Sequence, residues 1–218
     1  AVIGVDFAGQ PCDWDSLRSV AEKHGLRLVA DACHALGAEY KGRPVGSLAE
    51  LNVFSFHPVK HVATGEGGLV ATDDPGLAEK MRVFRNHGVT TEPRQREEAG
   101  SWLYEMVDLG YNYRITDIQC ALGVSQMRKL PRFLERRREI AAFYDQAFAS
   151  SDAVSPLATA PDRRHAYHLY VIRLPEEMDR KVMFSRLREA GLGVNVHYIP
   201  VYWHPYYRQR MGTAPGLC

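Results

Sequence analysis

Short apolar runs alternate with segments of helical period along this chain, and that alternation leaves few folds open. Residues 26–30, 52–56 and 68–72 each have the length and apolar character of a buried strand. Residues 13–24 carry Leu17, Val20, Ala21 and His24 at helical spacing, and Gly25 stands where a helix would stop. Asp74-Pro75 opens a further segment whose Leu77, Met81 and Phe84 share one face, with Gly88 as its end. Strands in sequence with amphipathic crossover helices predict parallel βαβ units in an α/β fold.

Further along, Thr116 and Gln119 have the spacing of a capping box that opens a long helical region. Pro131 must kink or interrupt that region, because proline lacks the donor an internal helical position needs. The domain junction is therefore expected near 131. Residues 1–131 would belong to a large domain with a mostly parallel sheet. Residues 132–218 would form a smaller α+β domain with helices over 132–148 and 179–190 and strands over 167–174 and 192–197. The sequence holds no internal repeat and no low-complexity segment.

Two polar residues sit where such a sheet would put chemistry. Lys60 lies between two apolar runs, just before the backbone-loosening Gly65, Gly67 and Gly68, where a ligand can approach closely. A desolvated amine there is a candidate Schiff-base nucleophile; the bland alternative is a solvated turn lysine. Asp31 stands at the carboxyl end of the run 26–30, the side of an open α/β sheet on which ligands bind. Taken alone it reads better as the cap of a short helix. Together, a carboxylate that keeps a pyridine nitrogen protonated and an amine that forms an imine with an aldehyde are the two handles pyridoxal phosphate needs.

Other chemistries find less support. His57 and His61 are four apart, but Pro58 and the glycines that follow argue against a continuous helix, and no Glu or Cys completes a metal set. The run Gly65-Glu66-Gly67-Gly68 is not a Walker loop, and no G-x-G-x-x-G follows a strand. With 27 basic and 26 acidic residues, the net charge of +1 gives no electrostatic footprint for nucleic acid. The triplet Arg136-Arg137-Arg138, followed by Glu139, reads as a solvated helix face. Cys12, Cys33, Cys120 and Cys218 have neither zinc nor disulfide-framework spacing and are expected as reduced thiols. No apolar stretch approaches the roughly 18 residues a membrane span requires. The expected compartment is the cytoplasm.

Four segments, in this order, carry a resemblance. They are Asp31-Ala32-Cys33-His34-Ala35-Leu36-Gly37, Ser55-Phe56-His57-Pro58-Val59-Lys60, Gly65-Glu66-Gly67-Gly68, and the stretch from Gly110 through Asn112, Arg114 and Thr116 to Gln119. They resemble the sugar aminotransferases of the DegT/DnrJ/EryC1/StrS family, and the likeness runs over essentially the whole chain. It implies a fold-type-I transferase dependent on pyridoxal 5'-phosphate. Lys60 would be the cofactor lysine and Asp31 the partner of the pyridinium nitrogen. His34 would lie beside the phenolic oxygen, Ser55 at the phosphate, and Asn112 at the phosphate of a neighbouring subunit in a homodimer. Arg114, His197 and Tyr198 would lie near the substrate. The implied reaction moves an amino group, with glutamate as donor, to the C4 ketone of a UDP-linked 6-deoxysugar for cell-surface glycan synthesis. A different ketosugar, or a catalytically silent fragment that only dimerises or binds, are the alternatives. Measured against the family, the large domain is expected to be incomplete at the N-terminus and the C-terminal tail to be missing.

Overall fold

The computed structural model describes residues 1–90 and 93–217; Cys218 lies outside the described residues. Strand β1 (Val2–Val5), helix α1 (Trp14–Lys23) and strand β2 (Leu28–Asp31) form the expected crossover, with β1 and β2 parallel. The Asp13 side chain caps α1 by accepting from Ser16 N at 3.2 Å, and Gly25, at φ +59°, ends the turn beyond it. Strands β3 (Glu39–Tyr40) and β4 (Arg43–Pro44) make a small hairpin, followed by β5 (Leu51–Ser55) and β6 (Gly68–Ala71). The main sheet has the order β1-β2-β5-β6, parallel across its first two pairings.

The last pairing departs from the sequence reading: β6 runs antiparallel to β5. The segment between them holds no helix. It folds back on itself, with Phe56 N donating to Gly67 O at 2.8 Å and Thr64 N to Phe56 O at 2.9 Å. The link between β2 and β5 likewise carries the β3-β4 hairpin in place of a crossover helix. Fully buried Ala32, Ala35 and Ala38 let that link pack tightly on the sheet.

Helix α2 (Pro75–Arg85) is capped by Asp74, and α3 (Pro93–Glu98) follows. Helix α4 (Asp117–Met127) opens with both arms of the capping box, Thr116 and Gln119, in place. Helix α5 (Leu130–Phe148) has Pro131 in its first turn, where no internal hydrogen bond is lost. The break between α4 and α5 therefore falls where Pro131 predicts it. The compact units do not divide there: they are Ala1–Arg173 and Leu174–Cys218. The reason is packing, since Leu130 and Leu134 of α5 are buried with Trp14, Leu28, Phe54 and Val62 in one core. A Cβ on Gly37 would overlap Leu134 Cδ1.

The first unit is completed by β7 (Ser155–Pro156), β8 (Arg163–Arg164) and β9 (Ile172–Arg173). Strand β8 pairs with β3, and β7 pairs with β9. Of the strand expected over 167–174, only β9 forms. The second unit holds α6 (Arg180–Glu189), capped by Asp179, and α7 (Pro205–Met211). The strand expected over 192–197 is absent: among the described residues, the second unit offers no other strand to complete a ladder.

Candidate active site

Parallel pairing with Val5 opposite Asp31 and Asp31 opposite Val53 brings the carboxyl ends of β1, β2 and β5 to one edge. Asp6, Asp31 and Ser55 all emerge there. The Asp31 carboxylate accepts from Cys33 N at 3.1 Å, and the residues after it form turns, so it caps no helix. Lys60 follows Ser55 by one turn, its N–H donating to His57 O at 2.9 Å. Partial burial lowers the Lys60 amine from the ordinary lysine range, a shift that nearby Cys33 and the Asp31 carboxylate oppose. The two polar residues singled out in the sequence thus lie within electrostatic reach of each other, and a partly desolvated amine is the better nucleophile.

Histidines line the same region. His34 is buried, its Nδ1 accepting from Ala8 N at 3.3 Å. His61 is buried and its Nε2 is 2.9 Å from Ala166 O. His168 lies between them, its ring centroid 4.3 Å from that of His34 and 5.5 Å from that of His61. The His168 Nδ1 is buried without a hydrogen-bond partner. Burial pushes His61 down to about 4 and His168 to about 3, so both rings are neutral near pH 7. The sequence reading missed His168, since an isolated histidine in the run Ala166-Tyr167-His168-Leu169 reads as part of a strand.

Asp6 was also missed as a site neighbour. It is fully buried, its Oδ1 accepting from Cys12 N at 2.8 Å and Trp14 Nε1 at 3.1 Å, while Oδ2 has no partner. Burial raises its carboxyl from 3.8 to about 6. Burial also drives the Cys12 and Cys33 thiols to about 12, which leaves them protonated and unreactive.

Ser55 Oγ accepts from His57 N at 3.3 Å at the end of β5. Asn112 is exposed and joins Asn86 in an isolated antiparallel bridge, and Arg114 donates to Asn86 Oδ1 at 2.6 Å. The segment carrying them is tied to the glycine loop beyond Lys60, since Gln119 Nε2 donates to Glu66 O at 2.9 Å. His197 and Tyr198 belong to the second unit, where their rings meet edge to face at 4.5 Å. His57 and His61 share no helix. Among the described residues there is no group of His, Cys, Asp and Glu placed to hold a metal, and no helix long and apolar enough to cross a membrane.

The residues present suit pyridoxal phosphate: an amine of lowered basicity, a carboxylate within its electrostatic reach, a hydroxyl at a strand end and an orphaned buried imidazole nitrogen. Gly9 adds a close approach, since a Cβ there would stand 2.9 Å from both His34 O and Tyr167 N. A lysine and an aspartate at the carboxyl edge of a mostly parallel sheet fit the fold-type-I architecture of pyridoxal-phosphate transferases. The chain belongs to the DegT/DnrJ/EryC1/StrS aminotransferase family, which it matches over residues 1–218.

Among its relatives is the UDP-4-amino-4,6-dideoxy-N-acetyl-beta-L-altrosamine transaminase of Campylobacter jejuni, 40% identical over 214 residues, covering 97% of this chain and 55% of that protein. Among solved structures, Helicobacter pylori PseC, an aminotransferase involved in the biosynthesis of pseudoaminic acid, is 36% identical with a TM-score of 0.91, covering 99% of this chain and 57% of that one. Spr1654 of Streptococcus pneumoniae, described as a sugar aminotransferase and solved in its PLP form, is 33% identical with a TM-score of 0.86, covering 96% of this chain and 57% of that one. The chain thus spans little more than half the length of these relatives.

Proposed function

We propose that the protein moves an amino group from an amino acid, glutamate in our reading, to the C4 ketone of a UDP-linked 4-keto-6-deoxysugar, in pseudaminic acid or related surface-glycan synthesis. The observation that carries this reading is the pairing of Lys60 and Asp31 at the carboxyl edge of the sheet in a chain of a sugar aminotransferase family. Bound pyridoxal phosphate would supply an electron sink for the substrate carbon. Asp31 would hold the ring nitrogen's proton, and Ser55 would donate its hydroxyl to the phosphate. His34 would lie beside the ring's oxygen. Lys60 would bind the cofactor carbonyl and, once freed, carry the proton between substrate and cofactor carbons.

Arg114, His197 and Tyr198 are the residues we assign to the sugar nucleotide. Asn112, exposed in this chain, would serve the phosphate site of a second subunit, making the working form a homodimer in the cytoplasm. Two experiments test the reading. Borohydride reduction after addition of pyridoxal phosphate should fix the label on Lys60, and a label on Lys41 or another lysine would overturn the site. Glutamate-dependent amination should favour a UDP-linked 4-keto-6-deoxysugar over a ketosugar on another nucleotide, and no preference would overturn the substrate.

A further inference from the structure

Residues 165–169 form a strap across the sheet edge, held by more contacts than a surface loop needs. Arg137 Nη1 donates to Tyr167 O at 2.8 Å and to His168 O at 3.2 Å. Arg138 Nε donates to His165 O at 3.0 Å, and its Nη2 donates to Gly37 O at 3.3 Å. Ala166 N donates to Gly9 O at 2.9 Å, and Leu169 N donates to Ala8 O at 3.2 Å. Tyr167 N donates to His165 Nδ1 at 2.8 Å. Tyr167 itself has φ +48°, a strained conformation for a residue with a Cβ, which persists only where the surroundings impose it. Arg137 is half-buried and donates to the backbone carbonyls of Tyr167 and His168, so it holds the strap in place.

We propose that His168 is a positioning residue: clamped by Arg137 and Arg138, the strap seats its imidazole against His34 and His61 and keeps water from the Lys60 amine. The centroid distances of 4.3 Å to His34 and 5.5 Å to His61 describe a close cluster of rings. The charged and titratable groups that act electrostatically on His168 are His34, Lys60, His61 and Arg137, the first and third of them in ring contact with it, and those that act on Lys60 are Cys33 and Asp31. Neutral rings beside an amine withhold the solvation its ammonium form requires, so more of Lys60 stands ready as a nucleophile. The catalytic meaning of this arrangement rests on Lys60 being the reacting amine; the electrostatic effect does not.

The test reads Lys60 in the purified, cofactor-free protein, by the pH dependence of its acylation with trace acetic anhydride, followed peptide by peptide. In the wild type the midpoint should lie below the ordinary lysine value of about 10.4. His168→Ala should raise it by about one pH unit, a roughly tenfold slower acylation at pH 8. His168→Phe should keep it low, because the ring still excludes water. Arg137→Met should raise it in the same direction by releasing two strap carbonyls, and Arg137→Lys should restore part of the shift. A midpoint unmoved in His168→Ala, or moved equally by Arg164→Ala on exposed β8, would overturn the proposal. Should His168→Ala fail to fold by circular dichroism, the Arg137 pair decides. Failure of borohydride labelling at Lys60 counts against the proposed function alone.

Discussion

Asp6→Asn should stabilise this protein at neutral pH and leave it unchanged in acid. The wild-type carboxyl is fully buried, and burial raises it from 3.8 to about 6. A group whose folded-state value is raised contributes stability that is fully present below its unfolded value and is lost as pH rises through the folded one. The wild type should therefore weaken between about pH 4 and pH 6 through this residue. At about 1.4 kcal/mol per pH unit, the full effect is about 3 kcal/mol, and partial screening brings it to about 2–3 kcal/mol. An asparagine can still accept from Cys12 N and Trp14 Nε1 through its Oδ1, as the carboxylate does. The charge, however, is gone. Urea unfolding of both proteins at half-unit steps from pH 4 to pH 8 measures the difference, in which other titrating groups cancel. A difference that stays flat across that range would show that Asp6 is not held as a buried acid.

Histidine burial sets a second pH window: His61 and His165 at about 4 and His168 at about 3 favour the neutral folded state, so stability should be full above about pH 6.5 and fall as pH drops toward 4; acid unfolding that begins only below pH 3 would contradict it. Gly9→Ala should cost about 2–5 kcal/mol, combining backbone strain with overlap onto backbone atoms that cannot move aside, and unchanged thermal unfolding would remove the close approach from the account. Leu134→Ala should cost about 2–5 kcal/mol by opening a cavity against Gly37, measured by urea unfolding; a loss under 1 kcal/mol would mean that α5 is not anchored in this core. Lys60→Ala should abolish borohydride-fixed cofactor, and Asp31→Asn should retain cofactor while losing most aminotransfer; full turnover in the latter would take Asp31 out of the chemistry.

Local chemistry was legible in the chain itself. Strands β2, β5 and β6, the helix starts near Asp13, Asp74, Thr116 and Asp179 and the helix break at Pro131 follow from interactions within a few residues, which sequence spacing encodes directly. Lys60 and Asp31 could be paired because each follows a buried strand, and parallel strands deliver their carboxyl ends to one edge. What depended on distant partners could not be read this way. The antiparallel turn of β6, the silent run 192–197 and the membership of α5 in the first unit were decided by which surfaces met, and no local pattern records that. The same holds for His168. Its place against His34 and His61 comes from two arginines some thirty residues upstream and from a glycine more than a hundred residues away, contacts that exist only once the chain has closed on itself.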